Sequence, residues 1–211
     1  MKLTQGEKSG RSRGLILEAA LQLFSTHGYR GTSIREIAEA AGLSTGNVYH
    51  HFPDKEALFR TLLDQYWAAI DTPDFPFNKA LAAGAFPDDL EALAEAARQS
   101  VLAYRRHVAL IYVDVVEFDG THIRKFYSGM SARFASFLNQ RYPDGSLKGR
   151  LAADCDPTMA LMLASRIFLH YFAVEVLFGV PDQRGNDTPA AMKEISDILR
   201  HGFLRSSTIK K

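Results

Sequence analysis

The chain has a single cysteine, Cys155, in 211 residues, so no intramolecular disulfide can form. That usage suits a reducing compartment and gives the expectation of a cytoplasmic protein. Net charge is also scarce. Twenty-five Lys and Arg stand against 24 Asp and Glu, a formal +1 that selects no class of partner. Strand signals are almost absent. No long apolar run goes uninterrupted: residues 158–180 are the most apolar stretch, but Arg166, His170 and Glu175 break it. A buried helix is therefore expected there, with no membrane partner. Residues 1–13 lack the apolar core of a signal peptide. G-x-G-x-x-G, Walker A, H-E-x-x-H, C-x-x-C and G-x-S-x-G are all missing, so no catalytic residue, metal or cofactor is expected and the chain does not read as an enzyme. Asp114, Glu117, Asp119 and His122 come nearest to a metal cluster. Asp119-Gly120 breaks the helix between them, so they read as a solvated, charged helix end.

What is present is 46% hydrophobic residues, enough for a sizeable core. Charge is unevenly spread. Residues 1–35 carry six basic side chains against two acidic ones, a local +4 that fits a phosphate-facing end. Apolar residues recur at helical spacing nearly throughout, which predicts an all-α fold. Ile16, Ala19, Ala20, Leu23 and Phe24 give one core-facing stripe over about residues 12–26, closed by His27-Gly28. Ser33 and Glu36 form a capping box ahead of a short helix carrying Ile34, Ile37, Ala38 and Ala41. Gly42-Leu43-Ser44 breaks it, and Ser44 caps a third helix over residues 45–51, anchored by Val48 and Phe52. A fourth helix is expected from Lys55 to about Ile70. Asp71 to Pro76 then reads as a break. Further helices are expected near 87–105, 106–118, 121–142, 157–179 and 188–205, punctuated by Asp119-Gly120, Pro143-Asp144-Gly145, Pro181-Asp182 and Gly185-Asn186.

Two short helices joined by a tight glycine-containing turn, behind a packing helix, make a helix-turn-helix. Its third helix exposes short polar residues, Thr45, Asn47 and His50, and Gly46 lets backbone approach closely. Such a face suits a DNA major groove. The run from Thr32 to Phe59, with Arg13, residues 16–20, Phe24 and Gly28-Tyr29 upstream, resembles the TetR family of transcriptional regulators over roughly residues 11–60. Asn47 departs from it, standing where Thr or Ala is more usual.

The resemblance implies a sequence-specific regulator, a repressor released from a palindromic operator by a small-molecule effector, and the abundant aromatic residues of the body suggest that this effector is largely hydrophobic. It implies a head over residues 1–53 and an effector-binding and dimerisation body over residues 54–211. Arg35 would reach a guanine edge or a phosphate, and Thr45 and Asn47 would read bases. Ser33, Tyr49, His50 and Lys55 would hold the phosphate backbone, and Arg11 and Arg13 would add contacts through a flexible arm. It also implies a homodimer through the last two helices. The sequence agrees there, because the helix over residues 158–178 is apolar almost all round and needs cover on more than one side. Trp67, Tyr104, His107, Tyr112, Phe126, Met130 and His170 are the candidate effector contacts.

Overall fold

A computed structural model describes residues 4–203 except 153, 182, 184 and 186. Asp182 and Asn186 of the expected breaks, and the helix end at 205, lie outside them. Among the described residues the chain is helical without extended strands. The helices are α1 (Gln5–His27), α2 (Ile34–Ala40), α3 (Thr45–His51), α4 (Lys55–Ile70), α5 (Pro76–Ala82), α6 (Ala85–Asp88), α7 (Leu90–Ala103), α8 (Arg105–Phe118), α9 (Arg124–Arg141), α10 (Pro157–Phe178) and α11 (Thr188–Phe203). A 3₁₀ turn spans Ser146–Arg150.

Two differences from the sequence expectation have physical causes. α1 starts at Gln5, well ahead of residue 12, because Thr4 and Glu7 form a capping box that satisfies the first orphan amides. The expected Arg11 and Arg13 arm is therefore helical. α5 and α6 follow the break at 71–76, in a stretch where no helix was expected before residue 87, and Phe77, Leu81 and Phe86 there are buried.

The chain divides into two compact units, residues 4–69 with 106–125, and residues 70–105 with 126–203. The first is built round Ile16, Ala20, Phe24, Ile37, Val48, Phe52, Leu58, Phe59, Leu62, Leu110 and Ile123, all buried. Fully burying a Phe or Leu contributes about 1.5–3 kcal/mol. Because α4 and α8 feed this core, the compact unit runs past residue 53. In the second unit α7 is the hub, packed by α5, α6, α10 and α11. α10 is long and apolar enough, by length and composition, to cross a membrane. Its Ala160, Leu161, Ala164, Phe168 and Phe172 are nevertheless core residues of this unit. Glu175 is buried with them and accepts from Arg98 Nε at 2.9 Å and Thr188 Oγ1 at 3.2 Å.

Candidate nucleic-acid interface

The helix-turn-helix forms as its residues dictate. Ser33 Oγ accepts from the Glu36 amide while the Glu36 carboxylate takes the Ser33 N–H, the reciprocal cap expected. At the other end of α2, Leu43 N–H reaches Ala38 O at 2.9 Å and Gly42 N–H reaches Glu39 O at 3.0 Å. These two bonds are a Schellman closure, and it needs a left-handed residue, here Gly42 at φ +67°. Ser44 then caps α3 by accepting from Asn47 N–H at 3.2 Å. Val48 and Phe52 fix α3 from behind, both buried.

The other side of α3 is open. Thr45, Gly46 and His50 are exposed, and Tyr49 is 56% exposed. Asn47 is half-buried, and its side-chain oxygen is covered without a hydrogen-bond partner. A Cβ at Gly46 would meet nothing closer than Ser44 Oγ at 3.8 Å, so the fold itself does not demand glycine there. Arg35 and Ser33 are exposed on α2. Arg13 lies over the Phe52 ring at 5.2 Å, tying α1 to the end of α3. His51 is half-buried, and burial, then the neighbouring His50 and Arg13, lowers its pKa.

Lys55 departs from the expected role. Its Nζ donates to Tyr29 O and Thr32 O, both at 2.8 Å, and sits 4.1 Å from the Tyr29 ring centre. Burial lowers its pKa. Two of its three donors are committed inward, so this ammonium braces the turn after α1. A buried carbonyl pair attracts a cation as well as a phosphate does, and sequence spacing does not tell the two apart.

The acidic residues near the end of α8 also correct the sequence expectation. Asp114 is fully buried; its carboxylate meets His122 Nδ1 at 2.5 Å and accepts from Ile123 N–H at 3.2 Å. Glu117 accepts from Tyr29 N–H at 2.8 Å and Arg30 N–H at 2.7 Å. They are structural acceptors and not a solvated helix end. Asp119, at φ +53°, turns the chain back after α8 and thereby lets His122 meet Asp114. No cluster able to hold a metal occurs among the described residues.

The candidate effector contacts fall in both units. In the first, Trp67 packs against the core, His107 belongs to α8 beside the Tyr66 ring, centroids 5.6 Å apart, and Tyr112 is half-buried. Burial lowers the His107 pKa, and burial raises that of Tyr112. In the second, Tyr104 neighbours Phe75 at 5.5 Å and Phe126 lies under Arg133 at 4.0 Å; Met130 is half-buried and His170 exposed. An open cleft of about 580 Å³ in the second unit is lined by Gly84, Asp88, Arg141, Tyr142, Asp144 and Arg150 among others, and by none of the seven.

Residues 16–62 match the family model described as bacterial regulatory proteins, tetR family. The HTH-type transcriptional repressor AcnR of Corynebacterium efficiens is 47% identical over 62 residues, 29% of this chain and 33% of that protein. The chain thus spans about a third of that relative. The HTH-type transcriptional repressor KstR2 of Rhodococcus jostii is 29% identical over 154 residues, 72% of this chain and 74% of that one. A solved structure, the putative transcriptional regulator SCO4942 from Streptomyces coelicolor, superposes with a TM-score of 0.64 at 23% identity, covering 91% of this chain and 98% of the other. That likeness concerns the fold.

Proposed function

We propose that the chain is a member of the TetR family of bacterial regulatory proteins and a sequence-specific, DNA-binding transcriptional repressor. The observation that carries this is the free side of α3: Thr45, Gly46, Tyr49 and His50 face outward while Val48 and Phe52 lock the helix from behind. The reading role belongs to residues 1–53, and effector binding and dimerisation to residues 54–211. Arg35 pairs with a guanine edge or a phosphate, and Thr45 and Asn47 read bases. The covered Asn47 oxygen gains a partner when the side chain turns to an adenine amino group. Ser33, Tyr49 and His50 touch the sugar-phosphate backbone, and Gly46 admits close approach. Lys55 supports the site from within.

The functional unit is a homodimer joined through α10 and α11. Met159, Leu163, Ile167 and Phe178 leave an exposed apolar row on α10, and Ile198 is 66% exposed on α11. A second copy is the natural cover for such a face. Two reading helices about 34–36 Å apart would enter successive major grooves of a palindromic operator. A small, largely hydrophobic effector that binds the non-DNA conformation better releases the operator. Its candidate contacts remain Trp67, Tyr104, His107, Tyr112, Phe126, Met130 and His170.

Selection of bound duplexes from a random pool tests the reading. Enrichment of a palindrome with half-sites about one helical turn apart is expected. Failure to enrich any duplex, at low salt where phosphate contacts are strongest, overturns it.

A further inference from the structure

The turn between α1 and α2, residues 28–32, decides where α2 begins, and α2 carries α3. This turn is held from two sides by opposite charges. On one side the Glu117 carboxylate of α8 takes two consecutive amides, Oε1 from Tyr29 and Oε2 from Arg30, at 2.8 and 2.7 Å. On the other, the Lys55 ammonium of α4 takes the Tyr29 and Thr32 carbonyls. Thr32, itself buried, closes the turn with its hydroxyl on Gly28 O at 2.8 Å. The fit around the carboxylate is tight. Gly28 has φ +76°, which favours glycine, and a Cβ there would lie 2.6 Å from Glu117 Oε1 and displace this carboxylate.

The Arg30 side chain adds little to this arrangement. Its Nε is 3.9 Å from Glu117 and the side chain is 79% exposed, whereas that of Glu117 is 14% exposed. Exposed pairs at such distances are weak. The carboxylate therefore acts on the backbone, where charge-assisted bonds to successive amides are strong and directional. None of these groups lies on the open side of α3.

We propose that Glu117 is a positioning residue for DNA recognition: its carboxylate fixes the turn at residues 28–32, and so sets the seating of α2 and α3 against the rest of their unit. This rests on the DNA-reading function proposed above. Glu117→Gln keeps the size but replaces one acceptor oxygen with an NH₂ donor, leaving an amide of the turn facing another donor. Glu117→Asp keeps the charge on a side chain one methylene shorter.

The test takes the duplex enriched by the wild-type chain and measures anisotropy at a temperature where circular dichroism shows every variant folded. Glu117→Gln should weaken operator binding about tenfold, roughly the alignment value of one charge-assisted bond, while binding to unrelated duplex changes less than about threefold. Glu117→Asp should recover part of the loss. A role in stability alone would lower the melting temperature and leave the operator-to-random ratio intact. That outcome, or a Gln variant indistinguishable from wild type, overturns the proposal. Should the Gln variant not fold, hydrogen exchange on the wild-type chain decides: slow Tyr29 and Arg30 amides support the clamp, and fast ones refute it. A wild-type chain that enriches no duplex defeats the DNA reading itself, a result distinct from these.

Discussion

Helices α3 and α10 each bury one side in their own unit and leave another open, and the open sides differ in kind. α3 hides Val48 and shows Thr45, Gly46, Tyr49 and His50; α10 hides Phe168 and Phe172 and shows Met159, Leu163 and Ile167. A polar open side costs nothing in water and waits for a polar partner. An apolar open side is a standing cost relieved when another apolar surface covers it. Under the proposed function the two open sides suit different partners, a duplex for one helix and a second copy for the other. The largest expected effect follows from the second. Leu163→Glu puts a charge in the middle of the exposed row and should raise the dimer dissociation constant at least about a hundredfold, on the scale of a disrupted interface centre. Sedimentation velocity over a concentration series reads it directly. A variant that stays dimeric at wild-type concentrations would place the interface elsewhere.

The comparison also separates stability from reading. Asp114 faces inward, fully buried, and supplies the His122 ring and the Ile123 amide with an acceptor. Asp114→Ala leaves both without it and should cost about 2–3 kcal/mol of unfolding free energy, measured by urea denaturation. Base preference, assayed on surviving folded protein, should not change. Asn47→Ala should do the reverse: operator affinity falls by about 1–3 kcal/mol and discrimination relaxes at one position, with little change in stability. Equal loss on every duplex would mean that Asn47 holds the backbone and that bases are read elsewhere on α3.

Much of the first unit was legible because its signals are local. A Ser33–Glu36 box, a glycine at the end of α2 and an apolar Val48 each act within a few residues, and the structure places α2, α3 and α4 within a residue or so of the pattern. What sequence could not show was pairing over distance. Tyr29 and Glu117 are 88 residues apart, and Lys55 binds carbonyls 23 and 26 positions away. Charge alone does not say whether a lysine faces phosphate or a carbonyl, and an Asp119-Gly120 break reads as divergence although the reversal brings Asp114 and His122 together. α5 and α6 were missed for a related reason: residues 77–86 carry no strong local helix signal, and the burial that orders them involves residues on α7. The candidate effector contacts stayed diffuse because half-buried aromatics mark core and pocket equally.

A smaller effect sharpens the inward side. Burial lowers the His107 pKa below the usual 6.5, with Glu18 partly opposing. The folded chain therefore prefers the neutral ring. Stability should hold above about pH 6.5 and decline as pH falls through the lower, folded-state pKa, where the unfolded chain binds the proton more readily. His107→Phe should flatten that part of the melting-temperature profile between about pH 7.5 and 5. An unchanged acid slope would assign the decline to other groups, His51 among them.

The smallest expected change concerns the exposed start of α1. Residues 4–11 are all exposed, and the first buried side chain is Ile16, so this end of the helix has no core to hold it. It also carries Gly6, Gly10 and Gly14, each with open space where a Cβ would stand. Gly in a helix interior costs about 1 kcal/mol relative to Ala, and the loss is local where the segment frays independently of the core. Gly10→Ala should therefore raise the helical circular dichroism signal slightly and slow amide exchange in residues 6–14, while the global melting temperature moves by less than about 1 °C. If the melting temperature instead rises by several degrees, this end of α1 unfolds together with the core, and the polar, open sides of the first unit are more tightly coupled to its interior than the contrast between α3 and α10 allows.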